Sequence, residues 1–220
     1  MLLCLQNVCA AETVEQLRQL AGESDYADGR KTAGWAAREV KRNEQVEAGP
    51  RIDTIRNLVR KALMAHPLFV SFAQPKSITR MLVSRYTQGM EYGLHVDDAL
   101  MGGRRADLSF TLFLSDPSTY EGGELAVETA AGEHLVKPDA GDLVLYPSTT
   151  LHEVRPVTSG ERIVCVGWIE SAVRDAAARE ILFDLENLRA TLGQTHDAQS
   201  PEMLTLAKTI SNLLRLWGDA

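Results

Sequence analysis

Between Ile78 and Glu170 the chain breaks into short runs rich in Val, Leu, Phe and Tyr, each closed by turn-forming residues. No other feature constrains the fold as tightly, because such runs are too short to present a helical stripe and suit strands instead. Strands are expected at Ile78–Tyr86, Leu94–Val96, Leu108–Ser115, Glu124–Glu128, Glu133–Val136, Leu143–Tyr146, Glu153–Val157 and Arg162–Ile169. Asp116-Pro117, Glu121-Gly122-Gly123, the Pro138 to Asp142 segment and Thr158-Ser159-Gly160 supply the turns between them. About eight short strands in this rhythm point to a double-sheet jelly roll, a double-stranded β-helix.

Helical spacing flanks this zone on both sides. Val14, Leu17, Leu20 and Ala21 recur as one face of a helix over Ala11 to Ala21, and a Gly-rich polar stretch follows through Gly34. Ile52, Ile55, Leu58, Val59 and Leu63 do the same over Ile52 to Ala65, where His66-Pro67 stops the helix. After the strands, Ala172 to Leu192 carries a stripe of Ile181, Leu182, Leu185, Leu188 and Leu192, with Gly193 as its stop. Ser200-Pro201 then opens a last helix, Ser200 as N-cap. The fold class expected is therefore α+β: a jelly-roll domain with N-terminal helices over residues 1–170, and a helical hairpin over 171–220. That hairpin packs either on the strands or on a second copy of the chain, as a homo-oligomer.

With 220 residues, 45% hydrophobic and 24% charged, the chain can bury a sizeable core. A net charge of −7 weighs against nucleic acid or an anionic membrane as partner. Cys4, Cys9 and Cys165 are an odd count without a C-x-x-C pair, which suits a reducing compartment. The start lacks a basic region, and Gln6 and Asn7 interrupt its apolar run, so it is expected to be a strand entering a helix rather than a signal peptide. No stretch approaches the roughly 20 apolar residues of a membrane helix. A cytoplasmic protein without membrane or nucleic-acid partners is expected.

Candidate chemistry begins with Tyr92-Gly93-Leu94-His95-Val96-Asp97-Asp98. Residues two apart on a strand share a face, so His95 and Asp97 would offer an imidazole and a carboxylate to one point, with Asp98 turned to solvent. Two histidines and a carboxylate leave open positions on a divalent iron, and His152, where a strand and turn lead into another strand, is the candidate second histidine. Alone, His95 is more simply a strand histidine with ordinary hydrogen bonds. His66, His134 and His196 have no comparable setting and are assigned surface roles. Ten residues beyond His152, Arg162 shares a strand face with Val164, Val166 and Trp168. An arginine heading an apolar face needs an anion, and a dicarboxylate would suit it. Equally, it could be a strand-end arginine whose head reaches water.

The order His95-x-Asp97, His152, Arg162 resembles the prolyl-4-hydroxylase branch of the iron- and 2-oxoglutarate-dependent dioxygenases. Arg85-Tyr86, Tyr92 to Asp97, Ser109 to Asp116, Gly122 to Leu125, Ala140 to Ser148 and Leu151-His152 are similar to the bacterial PKHD-type hydroxylases, as are the Asp28-Gly29-Arg30 segment and the helical tail. The resemblance implies an enzyme that hydroxylates a small-molecule or peptide substrate with molecular oxygen, decarboxylating 2-oxoglutarate to succinate. It implies iron(II) on His95, Asp97 and His152, and 2-oxoglutarate on Arg162, where prolyl hydroxylases more often carry lysine. It further implies Tyr86 touching the cosubstrate, Ser109 and Thr111 lining the pocket with Phe113 packed beside it, and ascorbate (vitamin C) as a helper.

Substrate choice is expected from Gly29 to Asn43, with Arg30, Trp35, Arg38 and Lys41, and from the Ala99 to Arg105 loop, whose Arg104-Arg105 could equally be a solvated turn. Two other readings stand beside this one. A cupin-like sandwich could bind metal or another ligand without redox turnover, and a zinc hydrolase could use the same ligands with Glu153 as its base.

Overall fold

A computed structural model describes residues 1–35 and 37–219. The chain opens with β1 (Leu3–Leu5) and α1 (Ala11–Gly22), then β2 (Tyr26–Asp28), β3 (Lys41–Arg42) and β4 (Glu44–Val46). Two helices follow, α2 (Pro50–Ala65) and α3 (Pro67–Ala73). The strand-rich zone runs through β5 (Pro75–Tyr86), β6 (Glu91–His95), β7 (Leu100–Met101), β8 (Arg104–Arg105), β9 (Leu108–Phe113) and β10 (Tyr120–Gly122). It continues with β11 (Leu125–Thr129), β12 (Gly132–Val136), β13 (Leu143–Pro147), β14 (His152–Val154), β15 (Val157–Gly160) and β16 (Arg162–Ser171), before α4 (Ala176–Leu192) and α5 (Pro201–Trp217).

Two antiparallel sheets carry the fold. One has seven strands in the order β1-β13-β9-β16-β5-β4-β2, the other five in the order β12-β11-β14-β6-β3. The period of two along each strand sorts side chains between two apolar layers. Leu108, Phe110 and Leu112 of β9, Leu143 and Leu145 of β13, and Ile163 and Cys165 of β16 meet Leu17, Ile55, Val59, Leu63 and Phe69 of the helices. Their alternates Phe113, Val144, Tyr146 and Val164 turn the other way and pack with Leu125, Val127 and Val154 of the smaller sheet. The large sheet is thus covered on both faces, and the site lies between the two sheets, with His95 and His152 on the smaller one and Tyr86, Ser109, Thr111 and Arg162 on the larger.

Particular residues make these elements. Gly167 sits on the central strand β16 where a Cβ would come within 2.5 Å of the Phe110 ring, so the close packing of β16 on β9 requires glycine there. Asp175 caps α4 by accepting from the Ala178 amide at 2.8 Å, and Ser200 caps α5 through the Met203 amide with Pro201 in the first turn. Phe183 of α4 meets Phe72 of α3 edge-on, centroids 5.3 Å apart. The hairpin therefore packs on the helical layer of its own chain, and also has its own cluster of Val173, Ala178, Leu182 and Ile210. Among the described residues no helix is long and apolar enough to cross a membrane.

The outline of the strand zone matches expectation, with corrections. The strand expected at Leu94–Val96 is Glu91–His95, which leaves Asp97 just beyond its end. The strand expected at Glu153–Val157 is two, His152–Val154 and Val157–Gly160, because Pro156 between them has no amide to give a ladder. The helix expected from Ala172 begins at Ala176, and Pro67 both ends α2 and opens the unforeseen α3. The stretch taken as polar loop holds β2, and β3 and β4 follow it. Arg104-Arg105 is a strand rather than a turn, and only Arg104 is solvated: it pairs with Glu170 at 3.2 Å, while half-buried Arg105 reaches Asp107 at 3.3 Å and Asp219 at 3.2 Å and donates to the Ser171 carbonyl. Those bonds tie the loop to the chain's end.

Candidate metal centre

His95 closes β6 and His152 opens β14, and the two strands pair with these residues directly opposite. Cross-strand neighbours on one face lie within side-chain reach, and the two imidazole centroids are 4.3 Å apart. Asp97 follows His95 past the strand end and still turns inward, its side chain only 8% exposed and its Oδ2 3.7 Å from His152 Nε2. One donor atom from each of the three can be chosen so that all lie within 4.8 Å of one another. Asp98, beside it, is exposed, as expected.

The surroundings fix each donor. His95 Nδ1 donates to the Gly93 carbonyl at 2.8 Å and His152 Nδ1 to the Thr150 carbonyl at 2.9 Å. Both protons are thereby held on Nδ1, so both Nε2 atoms are free lone-pair donors. Ser109 Oγ donates to Asp97 Oδ2 at 2.5 Å, and Ser148 Oγ lies 2.7 Å behind it as its own donor. Tyr92 stacks on His95 at 3.6 Å between centroids. Burial, and then the neighbouring His152, push His95 down to about 4. A set of two neutral imidazoles and one carboxylate suits a divalent transition metal with open positions.

Two expected outcomes arise from these contacts. Ser109→Ala should weaken divalent-metal affinity about 10- to 100-fold while leaving the fold intact, since it removes the bond that orients Asp97; metal-competition titration measures it. The second concerns the metal-free protein. Because the folded His95 titrates at about 4 against 6.5 ordinarily, the unfolded chain binds a proton that the folded one refuses. Stability should therefore be greatest above pH 6.5 and decline as pH falls towards 4, read from unfolding midpoints across that range.

Behind this cluster lies a cavity open to solvent, which His95, Asp97 and His152 line together with Arg162, Tyr86, Ser109, Thr111 and Trp168. Arg162 is 1% exposed, and Nε and both Nη atoms have no hydrogen-bond partner. Its guanidinium carbon lies 5.1 Å from the ring centres of both Tyr86 and Phe113. Burial lowers its pKa, and Tyr86, Tyr120 and Tyr146 around it offset that in part. A head reaching water is therefore the wrong reading of this residue. A buried guanidinium of this kind is costly unless an anion meets it.

Sequence reasoning missed part of the site. Tyr146 packs edge-on against His152 at 5.0 Å. Lys41, expected only as one of several basic residues, is 5% exposed in the cavity wall with Asn43 and Gln45, and burial brings it down to about 8. No alternation marks this segment in the sequence, since every residue from Lys41 to Gln45 is polar. Arg30 and Trp35 (89% exposed) instead face solvent, Arg30 paired with Asp28, and Arg38 is exposed. His134 and His196 are exposed, and His66 caps α3. Glu153 points away from His152 and pairs with Arg155 at 2.8 Å, so it is not placed as a base for a hydrolase.

Comparison with known proteins is consistent with this geometry. The 2OG-Fe(II) oxygenase superfamily matches over residues 81–170. A PKHD-type hydroxylase of Maricaulis maris is 56% identical over 219 residues, covering 100% of both chains. One from Acaryochloris marina is 47% identical over 221 residues, again covering 100% of both. Among solved structures, a Pseudomonas putida prolyl-4-hydroxylase aligns with a TM-score of 0.53 at 22% identity, covering 77% of this chain and 92% of that one. A Trichoplax adhaerens prolyl hydroxylase, in complex with a hypoxia inducible factor peptide fragment, gives a TM-score of 0.58 at 14% identity, covering 77% and 83%. The last two likenesses are of fold.

Proposed function

We propose, from the premise that this chain belongs to the PKHD-type hydroxylases of the 2OG-Fe(II) oxygenase superfamily, that His95, Asp97 and His152 hold iron(II) and that Arg162 holds the distal carboxylate of 2-oxoglutarate. The reaction is hydroxylation of a small-molecule or peptide substrate, with molecular oxygen consumed and 2-oxoglutarate converted to succinate and carbon dioxide. Ascorbate serves as an auxiliary reductant and the setting is cytoplasmic. The facing antiparallel sheets support a jelly roll over residues 1–170, with 171–220 as a helical extension; its hairpin is the candidate contact for a homo-oligomer.

The observation that carries this reading is the unpartnered guanidinium of Arg162, buried in the same cavity as the His-Asp-His cluster. A dicarboxylate held at the cluster would find in Arg162, on the wall of the same cavity, a guanidinium suited to its other end as a charge-assisted pair. Iron(II), when bound, supplies the redox chemistry that couples oxidative decarboxylation to insertion of oxygen into a C–H bond. The protein's own residues do the rest. Gly93 and Thr150 carbonyls orient the imidazoles, Ser109 and Ser148 hold the carboxylate, and Tyr86 lies against the cosubstrate's arginine. Phe113, Val154 and Leu125 keep that end of the cavity dry. A cupin-like binder without turnover leaves Arg162 without a partner.

Anaerobic addition of iron(II) and 2-oxoglutarate should give a weak visible charge-transfer band. Oxygen should then release succinate, faster with the right member of a peptide and metabolite pool. A protein that binds iron but shows neither band nor oxygen-dependent succinate would overturn the proposal.

A further inference from the structure

Between Lys41 and Val46 the chain crosses from one sheet to the other, since β3 pairs with β6 while β4 pairs with β5. Extended backbone sends alternate side chains to one side. Here the alternates are Lys41, Asn43 and Gln45, all buried and all on the cavity wall, while Arg42 is exposed. Gln45 is satisfied by the protein: the Thr32 hydroxyl donates to its Oε1 at 2.6 Å, and its Nε2 donates to Ser84 Oγ at 3.2 Å. Asn43 is not, because neither its Oδ1 nor its Nδ2 makes a well-formed hydrogen bond, although the Tyr86 hydroxyl is set against it. Lys41 is satisfied in part. Its Nζ donates to Thr32 Oγ1 at 3.2 Å and lies 4.8 Å from the centre of the Tyr92 ring, and among the described residues no carboxylate lies within 4.0 Å of it.

Charge balance gives that ammonium a meaning. On the reading proposed above, the two charges of iron(II) and the one of Arg162 offset Asp97 and the dianion of 2-oxoglutarate, and the imidazoles are neutral. Lys41 is left over. The other charged groups that act on it do not cancel it: Asp97 is already engaged, Arg80 repels it, and Asp28 is bound to Arg30. A buried excess positive charge beside an unpaired carboxamide calls for an anionic guest that also offers hydrogen-bonding groups.

We infer that the Lys41-Asn43 wall is the subsite for the primary substrate, and that this substrate presents a carboxylate to Lys41. The two carboxylates of 2-oxoglutarate are otherwise engaged, one at the metal and one at Arg162, so this anion is a second molecule. The substrate class is a carboxylic acid small enough to enter the cavity, such as an amino acid derivative or a peptide C-terminus. The inference rests on the assignment of iron and 2-oxoglutarate made above.

The test uses full-length enzyme loaded anaerobically with iron(II) and 2-oxoglutarate. It is titrated with a pool of N-acetyl amino acids and, separately, with the matching N-acetyl amino acid amides, following the visible band and the unfolding midpoint. The acids should perturb the band and raise the midpoint at concentrations at least about tenfold below the amides. Lys41→Met, which keeps the stem and removes a buried charge, should abolish that preference with 2-oxoglutarate affinity unchanged, and Lys41→Arg should retain part of it. Amides acting as well as acids, acids inert at about 10 mM, or a Lys41→Met protein that keeps the acid response would each overturn the inference. So would a Lys41→Met protein that loses 2-oxoglutarate as steeply as an Arg162 variant, because Lys41 would then belong to the cosubstrate. If the band never forms in the unaltered protein, the assignment of the metal site fails, and the inference with it.

Discussion

Arg162→Met should fold as well as the unaltered protein and bind 2-oxoglutarate at least about 100-fold more weakly. The magnitude comes from the bonds at stake. A charge-assisted hydrogen bond contributes roughly 1.5–3 kcal/mol, and a bidentate guanidinium–carboxylate pair has two of them. The expected loss is therefore about 3 kcal/mol or more, about two decades in affinity or more. Stability should move the other way or not at all. In the free protein the guanidinium is buried without a partner, so replacing it with an apolar chain of similar length removes a desolvation cost rather than an interaction. Arg162→Lys should recover part of the binding, as a point charge without the fork geometry. Isothermal titration with iron(II) present and a parallel thermal melt separate the two effects. Affinity within a few-fold of the original in Arg162→Met would remove the basis of the cosubstrate assignment.

His152→Ala should lose iron(II) binding altogether at concentrations that saturate the unaltered protein, and His95→Ala and Asp97→Ala should do the same. The readout need not be activity. A metal that binds only the folded state stabilises it by about 2.7 kcal/mol at a hundredfold excess over Kd. For a chain of this size, at about 2–4 °C per kcal/mol, that amounts to a rise in midpoint of about 5–11 °C, and the rise should vanish in all three variants. His95→Ala should in addition lower the metal-free midpoint, because it opens the stack with Tyr92. A preserved metal-induced rise in any one variant would show that its residue is not a ligand.

Much of this site was legible before any fold was known. His95, Asp97, His152 and Arg162 were all singled out by spacing and by the cost of an arginine on an apolar face. The family resemblance placed Ser109 and Thr111 with them, and they do line the cavity. The signal worked where β-alternation runs unbroken, as along β9 and β16. It failed on short segments: β3 and β4 are two and three residues long, too few for a period to emerge from polar composition. The Gly29 to Asn43 stretch was therefore expected only to choose substrate, with Lys41 as one of its basic residues, and Gln45 was not singled out. It also misjudged Arg104-Arg105, whose acidic partners Glu170 and Asp219 come from the far end of the sequence.

Local pattern alone determined the alternation of the long strands, the caps of the last two helices and the pairing of an imidazole and a carboxylate two residues apart. These are set by neighbours in the chain, through the two- and 3.6-residue repeats and the hydrogen bonds of helix ends. Tertiary structure decided what depends on register and on complete surroundings. The pairing of β6 with β14 puts His152 opposite His95. The crossing at Asn43 closes the cavity wall. The solitude of the Arg162 guanidinium could be established only once every atom around it had a position, because whether a polar group is satisfied is a property of its whole environment and not of its sequence neighbours.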